Sequence, residues 1–130
     1  MSEWAVGLIS EQRQKRQYRH IVAIRQYISE HYRMPDLSLQ SAAEHIGLSA
    51  QYISKIFKEF TDTNFSDYTN SVRIENARRM IVESDLTIKE ISSLVGFNSS
   101  QHFSRVFVRY SSVTPGQYRA MHQTDRAQGE

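Results

Sequence analysis

The sequence predicts an all-α protein of about seven helices, built as two helix-turn-helix subdomains joined by a long central helix. Three observations carry this prediction. Apolar residues recur at i, i+3, i+4 and i+7 along most of the chain, the spacing of one buried helix face. A glycine between two such stripes, followed by a residue that caps helices, occurs at Gly47 and again at Gly96. The pattern around these glycines repeats at an offset of about 50 residues, as expected of one supersecondary unit used twice.

Residues 1–19 are polar and basic after a short apolar start, and are expected to form a linker or N-terminal helical extension. The globular part is expected over 20–123, with a first lobe at about 20–62. Its opening helix should run from His20 to Tyr32, turning Ile21, Ile24, Tyr27, Ile28 and Tyr32 inward, before Pro35 and Asp36 end it. A second helix follows Ser38 with Leu39, Ala42, Ala43 and Ile46 as its stripe, and Gly47 closes it. Ser49 then caps a third, whose expected core face is Ile53, Ile56, Phe57 and Phe60.

Asn64 is the expected cap of the central helix, at about 65–84, with Asp67 at the capping-box position. Its apolar positions include Tyr68, Val72, Ala77, Met80 and Ile81, and its basic ones Arg73, Arg78 and Arg79. Such a helix is roughly 28 Å long, close to the ~34 Å between major-groove faces on one side of DNA. The second lobe, about 87–122, places Ile88, Ile91 and Val95 before Gly96, then Phe103, Val106, Phe107 and Tyr110 after it. Asn98 with Gln101 three residues on predicts where its second helix opens. Thr114 should cap a last short helix that starts on Pro115 and has Gln117 at its third position. Tyr118 and Met121 are expected to pack under this lobe, and residues 124–130 to form a loose tail.

Composition narrows the function. The chain has 130 residues, one domain's worth with room for two small lobes, and its six Phe and seven Tyr suffice for a modest core. It has no cysteine, which excludes disulfides, thiolate metal sites and cysteine nucleophiles together. No apolar run reaches the length of a membrane span and no secretory signal is visible, so the expectation is a soluble intracellular protein. The net charge of +2 does not by itself point to nucleic acid. Basic side chains concentrate at Arg13, Lys15, Arg16 and Arg19, and the remainder is close to balanced. None of the five histidines pairs at i, i+3 or i+4, and no carboxylate cluster completes a metal set. Nor is there a Ser-His-Asp set or a Gly-rich phosphate loop, so neither catalytic residues nor a cofactor or metal is expected.

Two helices across a short glycine turn form the unit whose second helix can lie in a DNA major groove. The stretches Gly96-Phe97, Phe103-Ser104-Arg105-Val106-Phe107 and Val113-Thr114-Pro115-Gly116-Gln117-Tyr118-Arg119 resemble the C-terminal end of the AraC/XylS family of bacterial transcription regulators. The resemblance reaches back to about His20. It implies a cytoplasmic regulator with double-stranded DNA as partner, RNA polymerase as a further one, and an upstream sensor or receiver domain in the full-length protein. With both reading helices on one chain, the isolated domain is expected to be monomeric. The alternative is a helical protein-interaction module that reuses the fold without binding DNA.

Facing away from the third helix's core stripe are Gln51, Ser54 and Lys55, the candidates for base edges there, with Lys58 nearer the backbone. The resemblance selects the same three positions. In the second lobe it points to Ser100, Gln101, Ser104 and Arg105, and the Arg105 fork fits the O6/N7 pair of guanine. Free N–H groups at helix N-termini make Ser49, Asn98, Ser99, Thr114 and Gly116 the candidates for phosphate.

Overall fold

The computed structural model of the chain describes residues 3–128, with the burial of side chains described over 7–123. It has seven helices: α1 (Glu3–His31), α2 (Leu39–Ile46), α3 (Ala50–Thr61), α4 (Phe65–Glu83), α5 (Ile88–Leu94), α6 (Ser100–Ser111) and α7 (Pro115–Gln128). Helices α1, α2 and α3 pack together as one lobe, and α4, α5, α6 and α7 as the other, with α4 also touching α1 and α3.

Local chemistry sets the helix ends. The Ser38 hydroxyl accepts from the Ser41 amide at 3.0 Å and the Ser41 hydroxyl accepts from the Ser38 amide at 2.9 Å, a reciprocal capping box. Asn64 caps α4 by accepting from the Asp67 amide at 2.7 Å. Thr114 and Gln117 cap α7 reciprocally, at 3.1 and 2.9 Å. Gly47 ends α2 at φ 83° and Gly96 follows α5 at φ 103°, both in the left-handed region where a side chain is strained.

Each lobe has its own core. Ile21, Ile24, Ile28, Ile53, Ile56 and Phe57 fill the first. Ile74, Ile81, Ile91, Val95, Phe103 and Phe107 fill the second. Two residues cross the division: Val72 packs against both cores, and Tyr32, at the end of the α1 segment, is buried in the second core. Arg73 is the polar counterpart of that crossing. It is only 8% exposed, and burial holds its guanidinium pKa below the ordinary value. Its Nε donates to the Tyr32 carbonyl at 2.8 Å and its Nη2 to the Met34 carbonyl at 2.9 Å, while the guanidinium lies 5.7 Å from the Phe97 ring centroid. Helix α4 thus ties the end of α1 to the turn of the second lobe. Arg78 does similar work locally, donating to the Tyr110 carbonyl at 2.7 Å at the end of α6.

The structure departs from the sequence reading at several places. Of the two readings of residues 1–19 the helical extension holds from Glu3 onward, but no break separates it from the opening helix expected at His20, and α1 runs on to His31. Phe60 is not core: it is 38% exposed, since the last turn of α3 runs past the first core and faces the polar part of α1. Its repeat partner Tyr110 is half-buried, with its hydroxyl donating to the Asp67 carbonyl at 2.9 Å. Burial first and the Asp67 carboxylate second hold that phenol above its ordinary pKa, against an opposing pull from Arg109. Met121 is also outside the core, at 57% exposed, because only the Tyr118 face of α7 meets the second lobe. The last helix is not short, and residues 124–128 continue it as far as Gln128 in place of a loose tail. The cap of α6 is Ser99 rather than Asn98. Among the described residues, no helix is long and apolar enough to cross a membrane.

The two turn glycines predict different costs of substitution. A Cβ at Gly47 would meet open space, so Gly47→Ala should incur only the left-handed strain, about 1 kcal/mol. A Cβ at Gly96 would overlap the Tyr32 carbonyl oxygen and come within 2.9 Å of Arg73 Nε. Gly96→Ala should therefore cost roughly 3 kcal/mol or more, and denaturant melting of both variants should show that gap.

Candidate nucleic-acid interface

Helices α3 and α6 occupy equivalent places in the two lobes, and each presents an outward face along its N-terminal half. On α3 the core side is Ile53, Ile56 and Phe57, which leaves Gln51, Ser54, Lys55 and Lys58 exposed. Gln51, Ser54 and Lys55 line one open concavity together with Leu39 and Ala50. On α6 the core side is Phe103, Val106 and Phe107, and Gln101 and Arg105 are exposed while Ser100 and Ser104 are half-buried. The two faces repeat chemically: Gln51, Ser54 and Lys55 recur as Gln101, Ser104 and Arg105. Each is a planar amide, a hydroxyl and a cation within one and a half helical turns.

The turns deliver these helices differently. In the first lobe one residue separates Gly47 from the cap Ser49, whose hydroxyl accepts from the Tyr52 amide at 3.1 Å. In the second lobe two residues separate Gly96 from Ser99, which is where the extra residue of the second copy falls. One of them, Phe97, is buried against Phe103 with ring centroids 5.3 Å apart. Anchoring Phe97 in the core leaves Asn98 outside, and Ser99 rather than Asn98 reaches the His102 amide, at 3.1 Å. Asn98 and Ser99 are both exposed.

The candidate phosphate groups differ in what they have free. Ser49 and Ser99 use a lone pair for capping, so their hydroxyl protons remain free to donate outward. The Thr114 amide is already bound to Gln117 Oε1, whereas Gly116 is exposed in the first turn of α7. Behind α3, His20 Nδ1 and the Tyr52 hydroxyl lie 2.7 Å apart, fixing the helix start against α1.

The residue that sequence reasoning missed is Arg73, which reads as a surface cation on a long helix. Its signal was its spacing, four residues from Thr69 and from Ala77, both of which are buried. Among the described residues, no group of three or more His, Asp or Glu side chains is placed to hold a metal ion.

Two helical lobes, each with a glycine turn before an exposed polar helix, define a double helix-turn-helix domain. Comparisons with known proteins agree. The profile of a family described as "Helix-turn-helix domain" matches residues 42–121. The regulatory protein PocR of Salmonella typhimurium is 37% identical over 93 residues, which cover 72% of this chain and 30% of that protein. The chain therefore spans under a third of that relative. The C-terminal domain of AraT, a response regulator from Geobacillus stearothermophilus, superposes with a TM-score of 0.74 at 34% identity, covering 75% of this chain and 81% of that one. The DNA-binding domain of the global transcriptional factor AdpA, solved with a target DNA, has the same fold, with a TM-score of 0.75 at 22% identity over 81% of this chain and 94% of that one. The chain belongs to the AraC-type helix-turn-helix family, the DNA-binding domains of transcription regulators.

The cap assignment can be checked directly. Ser99→Ala should destabilise the chain by about 1 kcal/mol through loss of the α6 cap, whereas Asn98→Ala should leave thermal stability within about 0.5 kcal/mol of the parent. Equal losses would contradict the assignment.

Proposed function

We propose that residues 20–123 read a specific double-stranded DNA site, with α3 and α6 entering successive major-groove faces. The observation that carries this reading is the Gln, Ser and cation set repeated on the two outward faces. Amides pair bidentately with adenine, and Lys or Arg with guanine O6/N7. Base contacts are assigned to Gln51, Ser54 and Lys55 in one half-site, and to Ser100, Gln101, Ser104 and Arg105 in the other. Ser49, Lys58, Asn98, Ser99, Thr114 and Gly116 are assigned to the phosphates, Thr114 through its hydroxyl, because its amide is spent within the cap. Contacts of that kind position the helices without carrying sequence information. They also let a nearly neutral domain bind DNA.

Because both reading helices belong to one chain, one copy spans one asymmetric site and needs no palindrome. The reading extends to a cytoplasmic, non-enzymatic regulator in which an upstream sensor or receiver domain controls this unit and RNA polymerase is its downstream partner.

Titration against mixed-sequence DNA at two salt concentrations tests the binding itself, which should weaken steeply with salt. An absence of salt-dependent binding would favour a protein-interaction module. Single-base site variants then test the residues. Arg105→Ala should cost about 1–3 kcal/mol on the preferred site and relax preference at one or two base pairs. Lys55→Ala should do the same in the other half-site, more weakly, because an ammonium lacks the planar fork. Uniform losses across the library, with a salt slope smaller by about one, would move these side chains to the phosphates.

A further inference from the structure

The surface around the start of α3 is not uniformly polar. Ala50 is the first residue of α3 and Leu39 the first of α2, and both are half-buried. Leu39 packs in part against the first core. The rest of its side chain borders the open concavity that Ala50, Gln51, Ser54 and Lys55 complete. An apolar wall drawn from two helices therefore stands beside three side chains that can hydrogen-bond. The base and phosphate assignments leave this wall without a role. The second lobe departs from the arrangement: Ser100 stands at the position that matches Ala50, so a hydroxyl replaces a methyl there.

We propose, building on the major-groove reading of α3, that this wall receives the C5-methyl group of one thymine. Leu39, together with Ala50, is then a specificity-determining residue of the first half-site, although it lies on α2 and not on the reading helix. Base edges in the major groove offer donors and acceptors, and the thymine methyl is the only alkyl group among them. An aliphatic surface cannot pair with the cytosine amino group, and covering that group without a partner is unfavourable. The wall thus favours thymine and disfavours cytosine at one position. Gln51 follows Ala50 in the chain and is assigned to an adenine, so the methyl belongs to the same base pair or to an adjoining one. The amide and the wall together make this part of the first half-site rich in A·T pairs. With Ser100 in place of Ala50, the second lobe has only part of such a wall. The two half-sites therefore differ in apolar contact as well as in cation, which gives the domain one preferred direction on its DNA.

The test uses a duplex that the full chain selects from a random pool, with Lys55→Ala marking the half-site that α3 occupies. Each thymine of that half-site is replaced singly by deoxyuracil, which removes the methyl and keeps the base pairing. One replacement, at or beside the pair that Gln51→Ala relaxes, should weaken binding about three- to fivefold, the effect of burying one methyl group. Leu39→Ala should bring that thymine-to-uracil ratio close to unity and leave the ratios in the second half-site as the parent has them. Because Leu39 also touches the first core, Ala50→Ser supplies an independent variant. It copies Ser100 and should shrink the same ratio. Each ratio compares two duplexes on one protein, so a change in folding stability cancels from it. A selected half-site without thymine, deoxyuracil tolerated throughout it, or a ratio that both variants leave unchanged would overturn the methyl contact. In those outcomes Lys55→Ala would still report base reading by α3. A chain that selects no sequence at all would overturn the methyl contact and the DNA reading together.

Discussion

One buried guanidinium connects the two halves of this molecule. Arg73 sits on α4, inside the second lobe's helix set, and spends its donors on the Tyr32 and Met34 carbonyls at the end of the first lobe's opening helix. A buried charge is costly unless paired or hydrogen-bonded, and removing its partners typically costs several kcal/mol. Any rotation of one lobe against the other would strip those bonds. Gly96 shows how close the fit is: the Tyr32 carbonyl occupies the place where a side chain would begin. Apolar packing adds to this, since Tyr32 and Val72 are shared across the boundary. The relative placement of the lobes is therefore set by α4 as a rigid element, not by a flexible connection.

That constraint gives the duplicated faces their meaning. Two separate helix-turn-helix units on a loose tether would search for half-sites independently, whereas a fixed pair has one spacing and one orientation. In the proposed reading, α4 serves as a ruler whose length approaches the separation of successive major-groove faces. The copies have also diverged where their neighbours differ. Tyr110 reaches α4 and finds the Asp67 carbonyl, while Phe60 at the matching position has only the polar half of α1 beside it.

Much of this was legible in the sequence. Gly47 and Gly96, the caps Ser38, Ser49, Asn64 and Thr114, and the bounds of α4 follow from local chemistry, because a cap or a left-handed turn involves only neighbours in the chain. The outward face carrying Gln51 and Lys55 follows from periodicity, and the resemblance to the family points to Gln101 and Arg105 on the other. What failed depended on tertiary surroundings. Asn98 and Ser99 are equally good caps on paper, and the anchoring of Phe97 decides between them. A stripe position tells which way Phe60 points but not whether anything covers it. The half-burial of Ser100 and Ser104 has the same origin. Arg73 was hidden because an arginine at core spacing makes sense only once two carbonyls from a distant segment face it.

The central claim, that this junction makes the two lobes one body, can be measured by the distance between the reading helices. The chain has no cysteine, so Glu59→Cys and Arg109→Cys, both exposed and equivalent in the repeat, accept one spin label each. Pulsed electron resonance should return one narrow distance in the free chain, unchanged on DNA, and a broad one once Arg73 is replaced by Gln. A broad or two-peaked distribution in the free chain, or one that loss of Arg73 leaves narrow, would contradict it.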